Sequence, residues 1–432
     1  MDKYLELYNK SINPLDDDKI LAEIVQAYIL KGKFGFWSFY YEIEEIGTEG
    51  KKADPPKQKE KDLLWSVLFN IWKDNILNHN DKINPQKYNG HFNELVQTLK
   101  GIPDISTYAE LCSIVEKYPV ISKYGIMPSG DRLWNFVLSK NITGIKEIDV
   151  NPVYRLYINS EAKDTYKLII GFLYKCFKNN IPFYLKFIEY PEDYPERADS
   201  IVIWADENTL FQYIKILNEL KAKFPEIVAR CGEPPVLTMK VDNWIGFGEE
   251  PKEGSYTTAR INLLMNSIND AICQWIVENQ DRKVTSGKVN FSVKQYIAAK
   301  SVKESFKIVR RETQRNPRQI KNYGVAPNDL SIDLYTEICC EILDEIIPAI
   351  QSEDKEVIYK KNGKNLYFRL KDSIYELLAM TMNSVTERAN LFSKIRNNIK
   401  TNSKKYGIDS QKFIYNDDYL ERFKHEEEQE RE

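Results

Sequence analysis

Between Pro152 and Val241 the chain alternates short runs rich in β-branched and aromatic residues with longer stretches of helical periodicity, and this alternation sets the fold class. The strand-like runs are Pro152–Asn159 (PVYRLYIN), Pro182–Tyr190 (PFYLKFIEY), Ser200–Ala205 (SIVIWA) and Pro235–Val241 (PVLTMKV). Glu161–Lys178 and Asn208–Lys223 separate them as helices, and Ser255–Glu278 follows as another. Upstream, residues 1–125 read as mostly helical, with apolar spacing at Ile20, Leu21, Ile24, Val25 and Tyr28, and again over Leu63–Leu77. Thr107 with Glu110 forms a capping box, and nothing in this region looks like chemistry. Thr48–Asp62 has two prolines and almost no apolar residue, so it reads as a flexible loop. Far downstream, Val357–Leu370 reads as a hairpin turning at Asn362-Gly363. The expectation is an α+β chain: a twisted, mostly antiparallel sheet flanked by helices, with a helical N-terminal region. The expected boundaries are 1–125 for that region, 126–423 for the α+β domain with a charged insertion at about 280–370, and 424–432 for a charged tail.

Several function classes are excluded by what the sequence lacks. Six cysteines (112, 176, 231, 273, 339 and 340) form no CxxC pair, and His79, His91 and His425 lie outside metal-ligand spacing of any of them. That pattern argues against zinc chemistry, and a Ser-His-Asp triad has no histidine in the central region. Trp244–Gly254 contains a GxG, but no helix-opening glycine follows as a dinucleotide fold requires, and Gly287-Lys288 lacks the spacing of a P-loop. No run approaches the roughly 20 apolar residues of a membrane span, and the first residues show no secretory pattern, so a cytoplasmic protein is expected. The net charge of −3 hides a split. Arg282–Tyr323 carries 12 basic residues against Glu304 and Glu312, and Asp329–Glu356 carries nine acids against Lys355. A basic block of this kind can hold nucleic acid or an acidic peptide; otherwise the two blocks face each other or solvent.

The residues fit for chemistry sit on the strand-like runs. Alternation places Arg155, Tyr157 and Asn159 on one strand face, opposite the apolar Tyr154, Leu156 and Ile158. Lys186 interrupts the apolar run Phe183–Ile188, where a lysine must snorkel, pair or lose basicity. Arg197 and Asp199 precede the strand Ile201–Trp204, Lys240 ends another strand, and Arg260 lies early in the helix that begins near Ser255. These cations have no evident carboxylate partner for each. The alternative is structural: Arg155 pairs with Asp199 or Glu189, and Lys186 guards an exposed strand edge.

RLYIN (155–159), PFYLKF (182–187) and YPERADSIVIW (194–204), followed by Gly246–Glu250, Ser255, Arg260 and the closing YGIDSQKFIYN (406–416), resemble the HopA-type effector family in order. That family includes the lyase component of class V lanthipeptide synthetases, which is similar in logic to phosphothreonine lyases. The resemblance implies elimination of phosphate from phosphoserine or phosphothreonine in a precursor peptide, with no cofactor or metal, beside a separate kinase and cyclase. It further implies that Arg155, Arg197 and Arg260 bind phosphate, with Asn159 and Asp199 completing the substrate-binding set. Lys186 is then the base, and Lys240 or Tyr157 the proton donor. Two departures stand out. No histidine occupies a matching motif, and Lys412-Phe413-Ile414 replaces the usual Arg-Pro-Tyr. A non-catalytic module that binds a phosphorylated or acidic peptide, or an effector of the same family, is the alternative; a nucleic-acid partner is not expected.

Overall fold

The computed structural model describes residues 2–29, 36–78, 85–124, 129–130, 133–139, 150–252, 254–279, 281–286, 289–292 and 382–422. The acidic block, most of the basic block and the hairpin expected at 357–370 lie outside the described residues. The chain forms two compact units.

The first unit comprises Met1–Pro14, Tyr40–Ala259 and Gly407–Glu432. Its N-terminal part is helical, as expected: α1 (Asp2–Lys10), then, after α2 (Asp18–Ile29) of the second unit and α3 (Phe36–Glu45), α4 (Gln58–Asn78), α5 (Phe92–Lys100), α6 (Tyr108–Lys117) and α7 (Pro119–Tyr124). The capping box is present: Thr107 accepts from the Glu110 amide at 3.2 Å, and Glu110 accepts from the Thr107 amide at 3.2 Å.

A seven-stranded, wholly antiparallel sheet follows, in the order β1-β2-β4-β5-β3-β7-β6. Its strands are β1 (Ser129–Gly130), β2 (Trp134–Leu138), β3 (Tyr154–Ile158), β4 (Tyr184–Ile188), β5 (Ile201–Ala205), β6 (Met239–Asp242) and β7 (Ile245–Glu249). Helices α8 (Ala162–Lys178) and α9 (Leu210–Lys223) interleave with them. Leu156, Ile203, Leu185 and Phe247 point to one face and share a core with Ile169 and Phe172 of α8, Leu217 and Leu220 of α9, and Trp65 and Phe69 of α4. Period-2 alternation sends Arg155, Tyr157, Trp204, Lys186 and Trp134 to the opposite face.

One expected strand is shortened, and one strand lies where none was expected. Pro235–Val241 is a strand only from Met239, because Pro234 and Pro235 offer no backbone donors and Thr238 instead turns back onto the Pro235 carbonyl, 2.9 Å from its amide. The glycine-rich 244–254 segment contains the interior strand β7, although glycine disfavours strands. Its glycines serve close approach. A Cβ on Gly248 would lie 2.3 Å from the Tyr256 ring, and one on Gly246 would lie 2.5 Å from Thr238 Oγ1.

The closing motif is structural. Gly407 adopts a positive φ of 63° that favours glycine, and Asp409 accepts from the amides of Gln411 and Lys412 at 2.7 and 2.8 Å. Asn416 then donates its amide to buried Glu249 at 2.7 Å and its side chain to the Glu250 carbonyl at 2.7 Å.

The second unit comprises Leu15–Phe39 and Arg260–Tyr406. It contains α2, most of α11 (Tyr256–Asn279, following the short α10, Pro225–Val228), the hairpin β8 (Lys283–Ser286) and β9 (Val289–Ser292), and α12 (Val385–Asn402). Tyr28 of α2 donates to Asn269 of α11 at 2.9 Å. Arg396 of α12 caps the Leu15 carbonyl at 2.9 Å and pairs with Asp18 at 2.7 Å. Among the described residues, no helix is long and apolar enough to cross a membrane.

Candidate functional site

The polar face of the sheet carries a row of cations separated by indole rings. Lys186 Nζ lies 3.6 Å from the Trp134 ring centroid and 5.8 Å from that of Trp204. The Arg155 guanidinium sits 5.1 Å from the Trp204 centroid, and that of Arg197 sits 5.1 Å from the Trp134 centroid. The order Arg197, Trp134, Lys186, Trp204, Arg155 follows from register, since Arg155 is opposite Trp204 and Lys186 is opposite Val202. Tyr184 stacks on Trp204 with 4.3 Å between centroids and walls the row on one side.

Both arginines have carboxylate partners, and neither Arg155 partner expected from sequence is the one used. Arg155 pairs with Glu250, the residue whose carbonyl Asn416 holds. Arg197 forms a two-point pair with Asp199, at 2.8 Å from Nε and 3.0 Å from Nη2. Lys186 differs. It stands on β4, between β2 and β5, so it does not guard a sheet edge. Among the described residues no carboxylate comes within ion-pair distance of its Nζ, which lies instead over indole faces. Burial pushes its amine down to about 8, and the charges of Arg155 and Arg197 add to the effect against the pull of Asp199 and Glu44.

The segment 40–51, whose last residues open the stretch Thr48–Asp62 expected as a flexible loop, closes over this face. The Glu44 carbonyl accepts from the Ala198 amide at 2.9 Å, and Gly47 accepts from Asn159 Nδ2 at 3.2 Å. Lys51 Nζ donates to the Arg197 carbonyl at 2.8 Å. The Glu44 carboxyl is buried 3.6 Å from Arg197 Nη2, and Tyr40 Oη is 3.5 Å from the same nitrogen. Burial, with Asp199 beside it, holds the Glu44 carboxyl well above the usual carboxylate range, against the pull of Arg197 and Lys186. Asp199 goes the other way. Its burial is outweighed by the charge and hydrogen bonds of Arg197, which keep it below its ordinary value. Lys51 is pushed down to about 7, chiefly by burial. Lys51, Glu44 and Tyr40 carry no local signal in the sequence, because only the path of the chain over the sheet brings them here.

The other expected residues are placed as follows. Tyr157 is buried in the same row, 5.8 Å from the Tyr256 ring; burial lifts its phenol well above its ordinary value and makes it a poor acid. Asn159 spends its amide nitrogen on the carbonyls of Gly47 and Glu233, a structural tie between loops. Lys240 is half exposed and pairs with the exposed Glu233. Arg260 belongs to the second unit and is fully buried there. Arg155, Lys186, Arg197, Asp199 and Tyr157 are the ones that the sheet brings together. Beside them Glu44, Tyr157, Thr238 and Tyr256 line a cavity of about 10 Å³, room for about one water.

A lysine of lowered basicity between two guanidiniums and over aromatic faces can attract an oxyanion and, once neutral, accept a proton from carbon.

No protein-family profile matches the chain, and no curated protein is similar to it. Among solved structures, an effector protein from Pseudomonas syringae pv. tomato strain DC3000 is similar at 12% identity and a TM-score of 0.33, over 58% of this chain and 84% of that one. An effector protein from Pseudomonas syringae pv. syringae strain 61 is similar at 13% identity and a TM-score of 0.32, over 58% of this chain and 87% of the other. The likeness to bacterial effector proteins is therefore distant.

Proposed function

We propose that this protein binds a phosphorylated serine or threonine side chain of a peptide and eliminates the phosphate, with Lys186 as the base that removes the Cα proton. The observation that carries this reading is the state of Lys186: an amine brought to about 8, with an indole face instead of a carboxylate against it and Arg155 and Arg197 acting on it. A base must be neutral to act, and at about 8 a useful fraction is neutral near physiological pH, whereas at 10.5 almost none would be. Arg155 and Arg197 supply the phosphate-directed charge. In this reading the substrate is a precursor peptide phosphorylated by a separate kinase, and the dehydroamino acid product passes to a cyclase.

The carboxylate partners of both arginines favour a second reading, recognition of a phosphorylated peptide without chemistry, because each guanidinium is held before any ligand arrives. One experiment separates the two. The purified protein is incubated with a phosphoseryl or phosphothreonyl peptide and followed by mass spectrometry. Loss of phosphoric acid, with the product trapped by an added thiol, supports elimination, at a rate that rises with pH through about 8. Lys186→Ala should abolish the product and spare peptide binding, while Lys240→Ala, on the exposed Glu233 pair, should leave the rate unchanged. Binding with no product in the wild type refutes the lyase reading.

A further inference from the structure

The placement of the expected proton donors leaves the departing phosphate unserved. Lys240 is half exposed on its own surface pair, and the Tyr157 phenol holds its proton too tightly to give it up readily. A phosphate that leaves carbon without a proton departs as the trianion, so a donor lowers the barrier substantially.

We propose that Glu44 is the proton donor of this site, delivering its carboxyl proton to the oxygen that leaves Cβ; the proposal rests on the lyase reading above. Three observations place it. Its Oε2 is buried and has no hydrogen-bond partner within geometric reach among the described residues, although the Asp199 carboxyl lies beside it. It lies 3.6 Å from Arg197 Nη2 and lines the small cavity with Tyr157, so it adjoins the cationic row. Its backbone is tied to Ala198, next to the Arg197–Asp199 pair.

The charged and titratable groups facing it are Asp199 and Arg197 from the loop before β5, Lys186 from β4, Tyr40 from its own helix, and Tyr157 of β3 and Tyr256, which line the same cavity. Against its burial, Arg197 favours the ionised form of Asp199, while burial and the Asp199 charge favour the protonated form of Glu44. The step balances. Lys186 takes the Cα proton, that electron pair becomes the Cα=Cβ bond, and the Cβ–O bond breaks with its pair on oxygen. The Glu44 proton then joins that oxygen. Monohydrogen phosphate leaves, and a lysine ammonium and a glutamate carboxylate remain to be reset by solvent.

The test compares two leaving groups of one shape. An O-sulfoseryl peptide presents a tetrahedral oxyanion to the arginines, and sulfate departs without needing a proton. Glu44→Gln should slow elimination from the phosphoseryl peptide by about 100-fold or more and leave elimination from the sulfoseryl peptide within a few-fold of wild type. Lys186→Met should lose both. Infrared difference spectra at neutral pH should show a protonated-carboxyl band in the wild type that Glu44→Gln lacks, a check that does not depend on turnover. Equal loss on both peptides, or undiminished phosphate elimination, in Glu44→Gln overturns the assignment of Glu44 alone. A wild type inert toward both, or a Lys186→Met that keeps both, overturns the lyase reading and this proposal with it.

Discussion

Lys186→Met removes a charge from the site and keeps the length of the stem, and the structure fixes the sign of its effect on stability. In an unfolded chain the amine has its ordinary value of 10.5; in the fold, burial with Arg155 and Arg197 nearby brings it to about 8. At about 1.36 kcal/mol per pH unit, this fall destabilises the native state by at most about 3.4 kcal/mol. The Trp134 face offsets roughly 0.5–2 kcal/mol of that through its attraction for the ammonium. A net cost of about 1.5–3 kcal/mol remains at neutral pH. Below pH 8 the amine is protonated in both states and the cost is complete. Between pH 8 and 10.5 the unfolded chain binds more protons than the native one, so stability rises with pH and the cost fades. Lys186→Met is therefore expected to be about 1.5–3 kcal/mol more stable than wild type at pH 7, a difference that closes by about pH 10.5. Urea unfolding of both proteins at several pH values from 7 to 10, followed by tryptophan fluorescence, measures it. All other lysines are common to the pair, so the difference isolates this one. A variant less stable than wild type at pH 7, or a difference that stays flat across the series, refutes the assignment of a desolvated lysine.

Two further outcomes follow from the packing of this face. Gly248→Ala places a Cβ 2.3 Å from the Tyr256 ring, in a wall that cannot retreat freely, and should cost about 1–3 kcal/mol in urea unfolding; an unchanged midpoint contradicts the close approach. Asp199→Asn leaves the buried Arg197 guanidinium without its two-point partner and should cost about 3–5 kcal/mol at pH 7. Because the Asp199 carboxyl is held below its ordinary 3.8, its contribution is present above that pH and is lost as pH falls through the folded value. The gap between wild type and variant should therefore narrow in acid, and a gap constant from pH 7 to 2 argues against an ionised Asp199.

Much of the sheet was legible because its residues report their own environment. The runs around Leu156, Leu185 and Ile203 are apolar or alternating at period 2, which backbone geometry converts directly into two faces, and so the neighbouring positions of Arg155 and Tyr157 on one face could be read from the chain. Strand β7 was not legible, since its glycines at 246 and 248 obey the approach of Thr238 and Tyr256, contacts that no local propensity encodes.

The candidate site divides in the same way. The sequence by itself determined that a lysine would interrupt β4 and that arginines would stand on β3 and before β5. Only the tertiary structure decided their company: Glu250 on Arg155, Asp199 and Glu44 around Arg197, indoles on both sides of Lys186, and Lys51 drawn in from a polar loop. The reason is physical. Charge and basicity in a protein are set by desolvation and by neighbours within a few ångströms, and those neighbours come from segments as far apart as residues 44 and 199.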